Sequence, residues 1–288
     1  MSTALPTVAT ALMTVTPFSF EQTIRKVELM SRDGDCTTAL LAGVLGSDPM
    51  LAAAVLSRAN ATGGRHQAPV TRLSQAVTML GMSMVQGLVL RIHPIEPAYR
   101  RTLAACWGLA NATATMTRIV ASVSRVRSLR EMDEETLHVA GLMHDLGTVV
   151  GQRLFTEAYL KAVRKVADDP ELGLEDALAK SLGANTAAIS TLVCRHWGIP
   201  PLFAACMRYL RRPMKADEEH RPVVAAVHVA RCLVRGCGFT VAGDPYVEPI
   251  DDEALDTLGI RFGEIEDALR MFYDEVDELE LYEGVLGA

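Results

Sequence analysis

HVAGLMHDLGTVV, residues 138–150, sets a histidine and an aspartate side by side in an otherwise apolar run. Such a pair can donate to a divalent metal ion, or it can be an interior polar pair satisfied by neighbours, and residues far from it decide which. Asp133, Glu134 and Glu135 stand just ahead of the run and load negative charge onto a helix start, which complements the helix dipole. The pattern predicts one helix carrying both His144 and Asp145. Adjacent helical residues project about 100° apart, so both reach one ion only if it lies against that helix.

Working outward, helical punctuation continues in both directions. In GSDPMLAAAVLSRANA, Asp48 is a candidate cap, Pro49 suits a first turn, and a broad apolar face follows. In VTRLSQAVTMLGM, Thr71 is the candidate N-cap, Leu73, Ala76, Val77 and Leu80 share a stripe, and Gly81 ends the helix. A long Ala/Thr/Leu pattern covers residues 98–124. Further helices are predicted near 156–168, 174–182, 185–197, 201–211, 220–236, 251–257 and 262–281. Period-2 alternation with β-branched residues is nearly absent, so the fold class is all-α. Loops are read at ATGGRHQAPV (61–70), with paired glycines, at RRPMKADEEHRP (211–222) and at FTVAGDPYVEP (239–249).

Composition narrows the function. With 49% hydrophobic but only 5% aromatic residues, the core is built from Ala, Leu, Val and Met, which suits closely packed helices. The apolar runs fall short of the roughly 18–20 residues that span a bilayer. MSTALPTVATALMTVTPFSF lacks the basic start of a signal peptide, so a cytoplasmic location is expected. The six cysteines form no CxxC and read as buried reduced thiols, neither a disulfide framework nor a zinc site. Residues 1–130 hold 13 Lys/Arg against 6 Asp/Glu, whereas 131–288 hold 15 against 29. Residues 244–288 alone carry 15 acidic groups against Arg261 and Arg270, a segment that a phosphate backbone would repel. Nucleic acid is therefore an unpromising partner. The acidic stretch reads as a solvated helix face, or as an electrostatic dock for the basic first half or a partner.

DPMLAAAVLSRANA, PVTRLSQAVTMLGMSMVQGLVL, AGLMHDLGTVVGQRLF and CRHWGIPPLFAACMRY, in that order, resemble the HDOD domain, the HD-related output domain of bacterial signalling proteins. The resemblance spans roughly residues 20–236. It implies a multi-helix, two-lobed, all-α domain related to HD phosphohydrolases, with a regulatory role commonly lacking demonstrated catalysis. The division expected is an N-terminal tail (1–18), an HDOD-like helical domain (19–243) and an acidic helical segment packing on it (244–288).

Set against the family, the chain departs at positions that matter for a metal. Trp107–Gly108–Leu109 has leucine where a histidine is common, and Thr186 stands at the histidine of LG-x-x-H. About Leu210 and Arg211 replace a His-His pair, and Ala230–Arg231 replaces Ala-Asp. A catalytic ion needs three or four His/Asp ligands from different helices and an open position for water. A guanidinium at Arg231 stays charged and opposes a cation. His144 and Asp145 are thus vestigial metal candidates, His138 and His228 are weak substitutes, and no cofactor is expected. The preferred reading is a structural staple between Asp145 and Arg231, so that Asp145→Ala would destabilise the fold without removing any activity.

Arg118, Arg125, Arg127, Arg208, Arg211 and Arg212 are candidates for binding phosphate or a partner, against the alternative that acidic residues of the same chain answer them. Met79, Met82 and Met84 read as core fillers, although an exposed Met patch would favour docking. No GxGxxG or Walker lysine is present. The expectation is a non-catalytic regulatory protein working through protein contacts in a signalling pathway. The alternatives are a metal-dependent HD phosphohydrolase acting on nucleotides and a cyclic-dinucleotide-sensing module.

Overall fold

A computed structural model describes residues 4–12, 14–32, 35–62, 68–169, 172–241, 244 and 246–278. The paired glycines at 63–64, part of the 239–249 loop and residues 279–288 lie outside them. The described chain is helical from end to end: α1 (Ala4–Leu12), α2 (Glu21–Arg32), α3 (Thr38–Leu45), α4 (Pro49–Thr62), α5 (Leu73–Leu80), α6 (Met82–Val89), α7 (Pro97–Val123), α8 (Arg127–Arg130), α9 (Glu134–Met143), α10 (Leu146–Leu154), α11 (Thr156–Asp168), α12 (Leu174–Leu182), α13 (Thr186–Trp197), α14 (Pro201–Tyr209), α15 (Arg221–Gly236), α16 (Asp252–Leu258) and α17 (Phe262–Glu278). The strands among these residues are two-residue pieces, β1 (Phe18–Ser19) and β2 (His93–Pro94), paired in parallel.

The helices form two packing groups, joined where α4 lies against α9. In the first, α3, α5 and α6 pack on α4, whose residues from Pro49 to Leu56 are all buried, and α2 packs on α3 and α6. In the second, α9 and α15 lie along α7, and α10–α14 pack around them. Close approach requires small residues. A Cβ at Gly141 of α9 would come within 2.6 Å of Ala114 Cα and of Thr117 Oγ1. At Gly147 of α10 it would meet Ser190 of α13.

The groups meet at the turn between α3 and α4. Asp48 caps α4 by accepting from the Met50 and Leu51 N–H groups, both at 2.9 Å, and Ser19 donates to its other oxygen. Asn111 of α7 donates to Ser47 O, and His138 of α9 bonds Gly46 O at 2.8 Å. The asparagine that ends α4 works as a clamp: Asn60 exchanges two hydrogen bonds with the Val70 backbone and fixes the entry to α5. Gly198, at φ 64°, ends α13 in the left-handed region so that Pro200 can open α14.

Several expectations change. Residues 4–12 are a helix, not a tail: Val8 and Leu12 are buried and α1 packs on α13. The N-cap of α5 is Arg72 rather than Thr71, and the orphaned Ser74 N–H is met at 2.7 Å by Glu135, reaching across from α9. Met79 and Met84 are 44% and 46% exposed, so they do not fill the core. Four cysteines are buried, whereas Cys36 and Cys237 are half-buried, and all six are free thiols. Within the described part of the acidic segment, α16 packs on α15 and α17 on α7. Among the described residues, no helix is long and apolar enough to cross a membrane.

Candidate functional site

His144 and Asp145 do not share a helix. α9 stops at Met143, Asp145 leaves the helical region (φ −123°, ψ 27°), and α10 begins at Leu146. The break changes the geometry of the pair. His144 Nδ1 donates to Gly141 O at 2.6 Å and its ring is buried, which leaves Nε2 as an unpartnered acceptor. Asp145 accepts from the Thr148 hydroxyl one turn into α10. Burial pushes the His144 pKa down to about 4, against the opposing pull of Asp145, so the imidazole is neutral near pH 7.

The expected Asp145–Arg231 staple is not formed. Arg231 Nη1 instead donates at 2.6 Å to Glu248, in the segment after α15, and Arg211 Nε donates at 2.6 Å to the other oxygen of the same carboxylate. Glu248 therefore bridges the end of α14 to the middle of α15. Arg211 also contacts Glu175 of α12 at 3.1 Å and Thr186 at 3.3 Å, and Glu175 accepts from the Thr186 backbone and hydroxyl. Arg235, one turn beyond Arg231, pairs with Asp244 at 3.1 Å and donates to the backbone carbonyls of Asp244 and Tyr246. Arg231 and Arg235 are 2% and 1% exposed. Burial alone would raise the Glu248 carboxyl, but Arg231 and Arg211 outweigh it and hold its pKa at about 2.

Thr186, Arg211 and Arg231, three of the positions that depart from the family pattern, are thus linked through Glu175 and Glu248. Arg231 and Arg211 lie within electrostatic reach of His144, and Arg211 and Arg235 within that of Asp145. Cys106, one turn before Leu109 on α7, also feels Asp145. This donor set does not suit a divalent ion. The unpartnered His144 Nε2 is the atom a metal would use, and the Asp145 carboxylate beside it is opposed by the Arg231 and Arg211 guanidinium groups. Neither substitute histidine rescues a ligand. His138 faces Gly46 at the seam, and His228 bonds Leu210 O through Nδ1 and accepts the Asp251 N–H through Nε2.

Most of the candidate phosphate-binding arginines are spoken for within the chain. Arg118 pairs with Glu275 and Arg125 with Glu264, each at 2.8 Å, so the acidic α17 answers the basic α7. Arg127 pairs with Glu131 on its own turn, Arg211 sits in the buried network, and Arg208 lies over the Tyr209 ring. Arg212 is exposed. Glu248, Glu175, Arg235 and Asp244 were not singled out from the sequence. Arg235 had a legible signal, an arginine four residues after Arg231 in an otherwise apolar helix; the acids are brought in by tertiary structure alone.

The HDOD domain profile matches residues 18–213. This chain belongs to the HDOD family. Solved structures agree with the HDOD fold at low identity. The MmoQ response regulator from Methylococcus capsulatus aligns with TM-score 0.66 and 16% identity, over 88% of this chain and 98% of that one. An HDOD domain protein from Geobacter sulfurreducens aligns at 0.55 and 16%, over 97% and 98%. A putative signal transduction protein from Marinobacter aquaeolei aligns at 0.55 and 21%, over 96% of this chain and 60% of that one. No curated protein matches by sequence. The HDOD profile ends before α15, so Arg231, Arg235 and Glu248 lie beyond the matched residues.

Proposed function

We propose that this HDOD protein is a non-catalytic regulator of a cytoplasmic signalling pathway, acting through contacts with protein partners. One observation carries the reading. At the place where a related hydrolase would hold a cation with carboxylates and imidazoles, this chain supplies its own cations, Arg231 and Arg211, and neutralises them with Glu248 and Glu175. The network ties α12, α14, α15 and the segment after α15 into one unit. Hydrolysis needs a polarising ion and an activated water, and a site where one carboxylate, Asp145, and a neutral histidine stand against two guanidinium groups is poorly suited to hold that ion. What remains is a rigid scaffold that presents surfaces.

The test is phosphate release from nucleoside triphosphates and from cyclic dinucleotides, with manganese or magnesium supplied, comparing the protein with His144→Ala. The regulatory reading expects no turnover that depends on His144. Release above background that His144→Ala abolishes would replace it with a phosphohydrolase.

A further inference from the structure

The acidic helix α17 shows on its inner side how this molecule binds a basic helix. Ala268 and Phe272 are buried, with Ile265, Leu269 and Val276 packed on the core beside them. Two carboxylate–arginine pairs flank this apolar seam, Glu264–Arg125 and Glu275–Arg118, and dock α17 onto α7. An apolar strip edged by carboxylates recurs on the other side of the α16–α17 turn, where no segment among the described residues covers it. A groove of about 440 Å³ opens there over Leu255, Ile260, Phe262 and Ile265. Phe262 stands 74% exposed at the start of α17, a large ring left in water.

The rim supplies charge. Asp252 and Asp256, at i and i+4, line the α16 side of the groove, with exposed Glu253 and Glu266 nearby. None of these four forms an ion pair with another described residue, although Asp267 does pair with Arg270. The cation lining the groove is Arg261, in the turn between the helices. Carboxylates along α16 and a cation at the turn place the basic residues of an occupant along α16.

We propose that this groove docks a basic amphipathic helix of a partner protein, with apolar anchors against Phe262 and Leu255 and Lys or Arg side chains along Asp252 and Asp256. The inference deepens the regulatory reading by assigning the contact surface and the chemistry of its partner. The groove lies outside the matched HDOD residues and is separate from His144, so a finding of hydrolysis would leave it standing, and its own failure would leave the regulatory reading standing.

The probe is a labelled twelve-residue helical peptide with a leucine stripe flanked by arginines, compared with a counterpart carrying glutamate for every arginine. Anisotropy titrations at about 50 and 300 mM salt are expected to show the arginine peptide binding at least tenfold more tightly than the glutamate one, and weakening with salt. Phe262→Ser, and separately Asp252→Asn with Asp256→Asn, each weaken it at least tenfold, while unchanged melting curves confirm folding. Equal affinity for the two peptides, no binding at millimolar peptide, or affinity undiminished in both variants overturns the proposal. Sedimentation showing a dimer that Phe262→Ser dissolves also overturns it, by assigning the groove to a second copy.

Discussion

Replacing Glu248 by glutamine keeps the shape of the bridge between Arg211 and Arg231 and removes its charge. Arg231 is 2% exposed and Glu248 is 18% exposed at the side chain, so solvent does little to compensate. Leaving a buried guanidinium without its counter-ion costs about 3–5 kcal/mol. The depressed Glu248 pKa gives a similar figure. A fall from 4.5 to about 2 at about 1.4 kcal/mol per unit is roughly 3–4 kcal/mol. Urea unfolding at pH 7.5 should therefore place Glu248→Gln about 3 kcal/mol below the parent protein, with an unchanged slope. A cycle with Arg231→Met should show a coupling of about 2 kcal/mol or more, because the double variant no longer buries an unpaired cation at position 231. Glu131→Gln is the control. Its pair with Arg127 is exposed on both sides, and the midpoint should not move measurably. A Glu248→Gln loss below about 1 kcal/mol would refute the account of the buried network.

Acid should weaken the fold in two separate windows. His144 has a folded pKa below its unfolded value, so its contribution is fully present above about pH 6.5 and is lost as pH falls toward 4. Near pH 5 that amounts to about 2 kcal/mol. His228 shifts in the same direction, because burial disfavours its charged form and Arg231 adds to that. Glu248 adds its own loss only below about pH 4.5. Urea midpoints between pH 7.5 and 5 test the first window, and no decline there would contradict the neutral, buried His144. At Gly141, alanine should cost about 1–3 kcal/mol or more because its Cβ would strike Ala114 and Thr117 of α7. Gly43→Ala, on open α3 surface, should be neutral or stabilising; thermal melts of the two variants side by side decide this.

Local signals were legible where local physics decides. The helices α11 and α12 fall on the predicted residues, and Asp48 caps α4 as its place before Pro49 foretold. The break at His144–Asp145 is hard to read locally because no proline marks it and Gly141 and Gly147 are each tolerated in a helix; the Nδ1 bond to Gly141 O and the close approach at Gly147 accompany it. Thr71 read as a cap because it is a threonine, but the group that meets Ser74 comes from Glu135, 61 residues away. At the site, the fixed charge of Arg231 is legible as hostile to a metal, but its partner is Glu248 rather than the expected Asp145. Glu248 sits in a proline-flanked loop 17 residues further on, and only the fold carries that loop back over α15.

The central claim is that guanidinium groups occupy the place of a metal ion, and metal stoichiometry tests it most directly. The protein, purified without chelators and equilibrated with manganese, zinc or iron(II), is dialysed and its metal content measured beside that of His144→Ala. The account predicts well under 0.1 ion per chain in both proteins, since Arg231 and Arg211 repel a cation at His144 Nε2. One ion per chain that disappears in His144→Ala would contradict it.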